Sequence, residues 1–180
     1  FVGYTNAGKS TLLNKVTNAD VLAMDKLFAT LDTTTRKIAL NSGREYLFTD
    51  TVGFIQKLPH NLIKAFKATL EETKYADILI HVVDCSNKSC EKQMEVVYKT
   101  LKDLNCLNKP IITVFNKIDK NNIEKPFPKD DFSMYTLEIS AKTGLGIENM
   151  LETLEDVVKS FKKSISILIP YEKSNIIGVI

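Results

Sequence analysis

Long hydrophobic runs, a dominant charge and paired cysteine motifs are all missing from this chain of 180 residues. No stretch of about 18 apolar residues occurs, which excludes a membrane-spanning helix on the sequence pattern. The charges of the 24 basic and 22 acidic residues nearly cancel, which argues against binding of nucleic acid through net charge alone. The composition is still compatible with a local basic patch. Hydrophobic residues make up 44% of the chain, which excludes a mainly disordered protein.

The cysteines Cys85, Cys90 and Cys106 are odd in number and form no C-x-x-C pair. This argues against a disulfide framework and a zinc site, and it favours free thiols in a reducing compartment. We therefore predict a cytoplasmic protein, monomeric and without a membrane partner. No leader peptide stands at the start, but the chain opens at Phe1 directly before a glycine motif. We expect it to be part of a longer protein.

Short apolar runs alternate with longer helical patterns, which predicts βα units around a mostly parallel sheet. Strands are predicted at 1–2, 37–40, 45–49, 78–83, 111–115 and 135–139, and helices at 10–16, 62–70, 94–104 and 147–161. Residues 18–36 and 120–131 are predicted loops. We place one domain at 1–164 and the beginning of a C-terminal domain, or a β-rich tail, at 165–180.

The first motif, GYTNAGKS at residues 3–10, matches G-x-x-x-x-G-K-[ST]. Its glycines let the backbone curl so that successive N–H groups point at phosphate oxygens, and the following helix adds its positive end. Lys9 would reach the β- and γ-phosphates, and the Ser10 hydroxyl would bind Mg²⁺. The predicted nucleotide-binding residues of this segment are Thr5, Asn6, Ala7, Gly8, Lys9, Ser10 and Thr11.

The second motif, DTVG at residues 50–53, follows a predicted strand. Asp50 at a strand end could hold a water of the Mg²⁺ shell, and the Gly53 N–H could bond the γ-phosphate and respond to its loss. A magnesium-binding threonine is also needed before this point, and Thr30, Thr33, Thr34 and Thr35 are the candidates. The residues alone do not choose among them.

Two further motifs predict recognition of a guanine base. The Asp119 carboxylate of NKID (116–119) can accept hydrogen bonds from the guanine N1–H and N2–H₂, which adenine does not offer, so ATP would be rejected by roughly 10⁴–10⁵. Asn116 would brace this loop, and the stem of Lys117 would pack over the base. In the SAK tripeptide, the N–H groups of Ser140 and Ala141 would meet the guanine O6, and Lys142 would cover the ring.

Four such loops at the carboxyl ends of strands, in this order, define the P-loop GTPase layout, and ligands of open α/β sheets bind at these ends. We therefore predict a three-layer, Ras-like α/β domain with a mostly parallel six-stranded sheet and one antiparallel edge hairpin strand. The predicted function is that of a molecular switch that binds and hydrolyses GTP, with Mg²⁺ as cofactor. An ATP-dependent P-loop enzyme is a weaker alternative, which NKID argues against.

Residues 3–14, 27–32, 50–55, 58–60 and 65–72 closely resemble the HflX family of translation-associated GTPases, and the similarity extends over 1–164. This resemblance implies Thr30 as the switch threonine that binds Mg²⁺, so Lys9, Thr30 and Gly53 form the expected catalytic set. Ser10, Thr30 and Asp50 form the expected metal set. It also implies the large ribosomal subunit as partner, mainly through domains outside this chain, and ribosome splitting or recycling as the role. Thr33 stands where the family usually has proline, so Thr33 or Thr34 stays open as the Mg²⁺-binding threonine in place of Thr30.

The expected catalytic centre has one weak point, Phe54. Small GTPases often place there a glutamine that orients the attacking water, and a phenyl ring has no such group. We predict slow intrinsic hydrolysis that a partner completes, or else a non-hydrolysing binding module. Gln56 and an arginine finger at Arg36 are minor candidates for the missing group. His81 is predicted to be a packed histidine, Cys85 an inert thiol, and the lysines 159, 162 and 163 a solvated helix end.

Overall fold

The structure, a computed structural model, describes residues 1–17, 33–40, 42–54, 72–120 and 126–161. Six strands and three α-helices lie in these ranges. The strands are β1 (Val2–Gly3), β2 (Thr34–Ala39), β3 (Glu45–Asp50), β4 (Leu79–Asp84), β5 (Ile111–Asn116) and β6 (Tyr135–Glu138). The helices are α1 (Lys9–Thr17), α2 (Cys90–Asp103) and α3 (Ile147–Ser160), and short 3₁₀ turns occupy Glu72–Lys74 and Ile118–Lys120.

The parallel strands follow the order β1-β4-β5-β6, and β2 pairs with β3 as an antiparallel hairpin. The hairpin joins the parallel sheet just after β3. Phe54 forms a parallel bridge with Tyr4, its N–H donates to the Gly3 carbonyl at 3.0 Å, and its carbonyl accepts from the Thr5 N–H at 2.9 Å. The predicted mostly parallel α/β sheet with one antiparallel hairpin strand is therefore confirmed.

Alternating side chains of the central strands enter two separate cores, as the period of two in a strand requires. On β5, Ile111 and Phe115 pack towards α2, whereas Ile112 and Val114 pack towards α1 and α3. The sheet is thus covered on both faces, which gives three layers. This burial explains why β4 and β5 are continuous apolar runs in the sequence.

Two predicted boundaries are wrong. Helix α2, predicted at 94–104, begins four residues earlier at Cys90, because its polar first turn adds nothing to the apolar pattern. Residues 34–36, assigned to a loop, are the first three residues of β2, where Thr34 pairs with Asp50 and Arg36 with Phe48. Three consecutive threonines carry no period, but their β-branched side chains suit a strand, and the Thr35 and Thr49 hydroxyls lie 2.8 Å apart across the hairpin. Gly43, with φ of 74°, closes the hairpin as its turn motif predicts.

Several other predictions concern segments outside the described residues. These are Thr30, Gln56, the helix at 62–70, and the domain boundary with the tail at 165–180. All three cysteines lie in the described part and are free. Within the described ranges, no helix combines the length and the apolar character that a membrane span requires.

Candidate functional site

The phosphate loop is the curled segment of residues 4–8 between β1 and α1. Its curl depends on residues with positive φ, Asn6 at 61° and Gly8 at 99°. Gly8 also needs to lack a side chain, because a Cβ there would lie 2.3 Å from Asn116 Nδ2. The N-terminus of α1 follows directly, with Lys9, Ser10 and Thr11 in its first turn. The loop therefore has the backbone form that the motif predicts.

Lys9 places a buried ammonium group over this loop. Its side chain is 6% exposed, and its Nζ donates to the carbonyls of Gly3 and Tyr4 at 3.3 Å each. Burial lowers the pKa of Lys9 from 10.5 to about 8, and the nearby Asp50 carboxylate opposes part of that shift. Two long hydrogen bonds leave this cation incompletely compensated, so an anion at the loop would stabilise it.

Ser10 and Asp50 meet beside Lys9 although they are far apart in sequence. The Ser10 hydroxyl donates to Asp50 Oδ2 at 2.5 Å. Asp50 ends β3 and is 1% exposed, and its other oxygen, Oδ1, is buried without a hydrogen-bond partner among the described residues. A buried carboxylate oxygen without a partner costs free energy, which indicates that a further group binds this oxygen.

Gly53 lies against the phosphate loop. A Cβ at this position would stand 2.6 Å from Thr5 Cα and 3.0 Å from Lys9 Nζ, so only glycine allows the approach. The next residue, Phe54, is held by two backbone hydrogen bonds, and its ring, 2% exposed, packs in the core beneath α2. The position expected to orient water is thus occupied by a core side chain.

Asn116 connects three of the four motif loops. It ends β5, and its Nδ2 donates to the Ala7 carbonyl at 2.8 Å while its Oδ1 accepts from the Ala141 N–H at 2.9 Å. The side chain is almost fully buried, at 2% exposure. Asn116 thereby fixes the phosphate loop and the Ser140–Ala141 loop relative to each other.

Asp119 and Ser140 form a hydrogen-bonded polar pair in the loops that Asn116 connects. The Ser140 hydroxyl donates to Asp119 Oδ1 at 2.6 Å, and this hydrogen bond lowers the pKa of the exposed Asp119 carboxyl. The Asp119 carboxylate is therefore held ionised, which is the form that accepts hydrogen bonds. Lys142 is exposed, while Ser140 and Ala141 are buried.

Lys117 adopts φ of 71° and sends its ammonium group back to the phosphate loop. Its Nζ donates to the Asn6 carbonyl at 2.8 Å and forms an ion pair with Asp84 Oδ2 at 2.6 Å. Cys85, next to Asp84, donates to the Asn116 carbonyl through its N–H at 3.1 Å and through its thiol at 2.9 Å. No sequence motif marks Asp84, which is recognisable only as an aspartate at the end of a strand that neighbours the Asn116 strand.

The remaining candidates lie away from this cluster or are inert. Arg36 is exposed on β2, opposite Phe48. Burial raises the pKa of the Cys85 thiol to about 11, in agreement with an unreactive cysteine. His81 is buried between β4 and α2, where it contacts Tyr98. Lys159 pairs with Asp156 on the exposed surface of α3, and Thr30, Gln56, Lys162 and Lys163 lie outside the described residues.

The family model described as "50S ribosome-binding GTPase" matches residues 1–117. The chain belongs to this GTPase family. Among curated relatives, the GTPase HflX of Lacrimispora saccharolytica is 52% identical over 99% of the chain, and that of Escherichia coli K12 is 43% identical over 86%. The HflX resemblance is confirmed. The chain spans 42% and 37% of the length of these two relatives.

Solved structures agree with the family. A GTP-binding protein from Sulfolobus solfataricus in complex with GDP is 26% identical with a TM-score of 0.71, over 89% of this chain and 52% of that one. Era in complex with MgGDPNP and a segment of 16S ribosomal RNA is 25% identical with a TM-score of 0.67, over 94% and 57%. The predicted P-loop GTPase architecture is confirmed by these neighbours.

Proposed function

We propose that this chain is the nucleotide-binding switch of an HflX-like GTPase, which binds GTP and GDP and hydrolyses GTP. The observation that carries the proposal is the pair of hydrogen bonds made by the buried Asn116 side chain. They join Ala7 of the phosphate loop to Ala141 of the opposite loop. A site for a phosphate chain and a site for a base are thereby held at one edge of the sheet, where α/β proteins bind nucleotides.

Guanine selectivity follows from the Asp119 carboxylate. Its ionised form accepts the two N–H donors that guanine presents, whereas adenine would face it with the N1 lone pair. The hydrogen bond from Ser140 fixes the orientation of the carboxylate before a ligand arrives. A preformed acceptor of this kind supports discrimination of roughly 10⁴–10⁵ between the two bases.

Magnesium fits the donors at Ser10 and Asp50. Mg²⁺ prefers oxygen ligands and is bound by one or two protein groups together with substrate phosphates and water. The Ser10 hydroxyl and the unsatisfied Asp50 Oδ1 are oxygens of this type at the mouth of the phosphate loop. We assign them, with Thr30 by family resemblance, as the residues that would hold the ion and so neutralise phosphate charge.

Hydrolysis is expected to be slow in the isolated chain, because Phe54 contributes its ring to the core and no water-orienting group to the site. A partner that supplies such a group can raise the rate by up to about 10⁵. The large ribosomal subunit is the proposed partner, on the family description and the HflX relatives, and ribosome splitting or recycling is the proposed role.

The second candidate function, a guanine-nucleotide module that does not hydrolyse GTP, is favoured by the same buried Phe54. Single-turnover hydrolysis with and without large ribosomal subunits separates the two functions. Product formation above the rate of GTP in buffer supports the switch. Its complete absence under both conditions supports the binding module.

The first experiment is displacement of a fluorescent GDP by unlabelled GTP, GDP and ATP in the presence of Mg²⁺. We expect displacement by both guanine nucleotides but not by ATP, and loss of binding in Asp119→Ala. Asp131→Ala is the matched control, since it removes an exposed carboxylate that pairs with Lys129 at the surface. Equal displacement by ATP would refute the guanine assignment and leave a broader P-loop nucleotide-binding protein.

A further inference from the structure

The end of β4 carries none of the four nucleotide motifs, yet it supports the loop that carries NKID. Asp84 is paired with Asn116 in the register of the parallel strands β4 and β5. Immediately after this pair, the Cys85 N–H and thiol both donate to the Asn116 carbonyl, while Asp84 Oδ2 binds Lys117 Nζ. The last residue of β4 and the residue after it thus hold two successive residues of the base-recognition loop.

The ion pair between Asp84 and Lys117 is sheltered from solvent. The side chains are 14% and 19% exposed, respectively, and their charged atoms lie 2.6 Å apart. Because the pair is neither on the open surface nor fully buried, solvent screens it less than an exposed pair, and removal of one partner would leave the other charge poorly compensated. The interaction is therefore energetically significant for the position of Lys117.

Lys117 needs such a restraint. Its φ of 71° lies in the left-handed region, which is unfavourable for a residue with a long side chain, and Asn6, which it contacts, has φ of 61°. The same ammonium group donates to the Asn6 carbonyl at 2.8 Å. One lysine therefore joins the base-recognition loop to the phosphate loop, and Asp84 is the anion that holds that lysine there.

We propose that Asp84 is a positioning residue that keeps bound guanine nucleotides in the site by clamping Lys117 between the base-recognition loop and the phosphate loop. The inference rests on the proposed binding of guanine nucleotides. Asp84 touches the nucleotide nowhere in this proposal and acts only through Lys117. Its loss speeds nucleotide release, for GDP and GTP alike, because both share the base and the phosphate loop.

The two carboxylate oxygens of Asp84 have separate tasks, which makes a clean variant possible. Oδ1 accepts from the Ser86 N–H at 3.0 Å and from the Ser86 hydroxyl at 2.6 Å, whereas Oδ2 binds Lys117. Asp84→Asn keeps an oxygen for the turn at Ser86 but replaces the anionic partner of Lys117 by a neutral amide. Ser86→Ala weakens the turn contact and spares the ion pair.

The test measures release of fluorescent GDP from the chain after addition of excess unlabelled GDP. We expect release to accelerate about tenfold in Asp84→Asn, equivalent to about 1.4 kcal/mol. Asp156→Asn is the matched control, because it makes the same chemical change in an exposed ion pair on α3. Both Asp156→Asn and Ser86→Ala should release GDP at the original rate.

A double-mutant cycle with Lys117→Gln shows whether Asp84 acts through this lysine. In the Lys117→Gln background, Asp84→Asn should change the release rate less than twofold, whereas equal effects in both backgrounds would overturn the clamp. Should Asp84→Asn fail to fold, Asp84→Glu carries the test, since its longer side chain displaces the lysine; an unchanged release rate would then refute the proposal. Absence of GDP binding by the original chain would refute the proposed function itself. Normal GDP binding together with unchanged release rates in the Asp84 variants would refute only the clamp.

Discussion

Lys9 has a buried ammonium group whose protonation should control nucleotide affinity. The free chain has a Lys9 pKa of about 8, and bound phosphate stabilises the charged form and raises that pKa. Affinity is therefore constant well below pH 8 and falls as pH rises through 8, by about sevenfold between pH 7 and 8.8. Fluorescent GDP titrations at fixed ionic strength measure this. Lys9→Arg, which stays charged, should bind with a flat profile; a flat profile in the original chain would contradict the assignment.

At the level of single residues, the motifs predicted which side chains meet but not what supports them. Asn116, Asp119 and Ser140 come together as their spacing indicates. Asp84 was missed because an aspartate at a strand end is common and has no motif of its own. The core position of Phe54 was also not predicted, since the sequence indicates only that glutamine is absent there.

The phosphate loop is an element whose shape depends on one glycine. Gly8→Ala would combine φ of 99° with a Cβ placed 2.3 Å from Asn116 Nδ2, so we expect loss of GDP binding. Gly43→Ala is the matched control, because its φ is 74° but nothing lies within 4 Å of the added Cβ. It should lower the free energy of unfolding by about 1–2 kcal/mol and leave GDP affinity unchanged. Similar binding by both variants would contradict the steric argument.

A polar cluster fastens α2 to the sheet. The Tyr98 hydroxyl of α2 lies 3.1 Å from His81 Nδ1 on β4 and 3.3 Å from Thr113 Oγ1 on β5. The same hydroxyl donates to Asp130 Oδ2 at 2.5 Å. Burial lowers the pKa of His81 from 6.5 to about 4, although the Asp130 carboxylate opposes this shift. The neutral ring is therefore the form that fits the folded element.

This cluster predicts a loss of stability in acid. Between pH 6.5 and 4 the unfolded chain binds a proton at His81 and the folded chain does not, so the free energy of unfolding falls as pH falls. The loss attributable to His81 is about 3 kcal/mol at most. The free energy of unfolding, measured with urea at several pH values, should depend on pH more steeply in the original chain than in His81→Gln, and only across this window. His60→Gln, which alters the other histidine, should retain the slope, and an unchanged slope in His81→Gln would contradict the prediction.

Elements were predicted well where burial determines the pattern and less well where it does not. The strands β4 and β5 are buried on both faces, so their apolar runs located them to within a residue. The strand β2 is mostly exposed, and its start at Thr34 depends on pairing with β3, which no local pattern of apolar residues records. Tertiary pairing thus determined where β2 begins.

At the scale of the whole molecule, catalysis and packing meet at Phe54. Its backbone joins the segment after β3 to the phosphate loop, and its ring belongs to the same core as Val2 and α2. Restoring glutamine at this position would therefore remove a buried ring and place an amide in an apolar environment. The architecture of the domain, rather than the local motif, decides what this position can do.

We expect Phe54→Gln to lower the free energy of unfolding by about 3–5 kcal/mol and not to raise intrinsic GTP turnover. Gln56→Ala should leave intrinsic turnover unchanged, since the missing group is assigned to the partner. Single-turnover assays with and without large ribosomal subunits measure both variants beside the original chain. A faster Phe54→Gln would show that the position is accessible to the reaction, and a large loss in Gln56→Ala would show that the chain already carries its own water-orienting group.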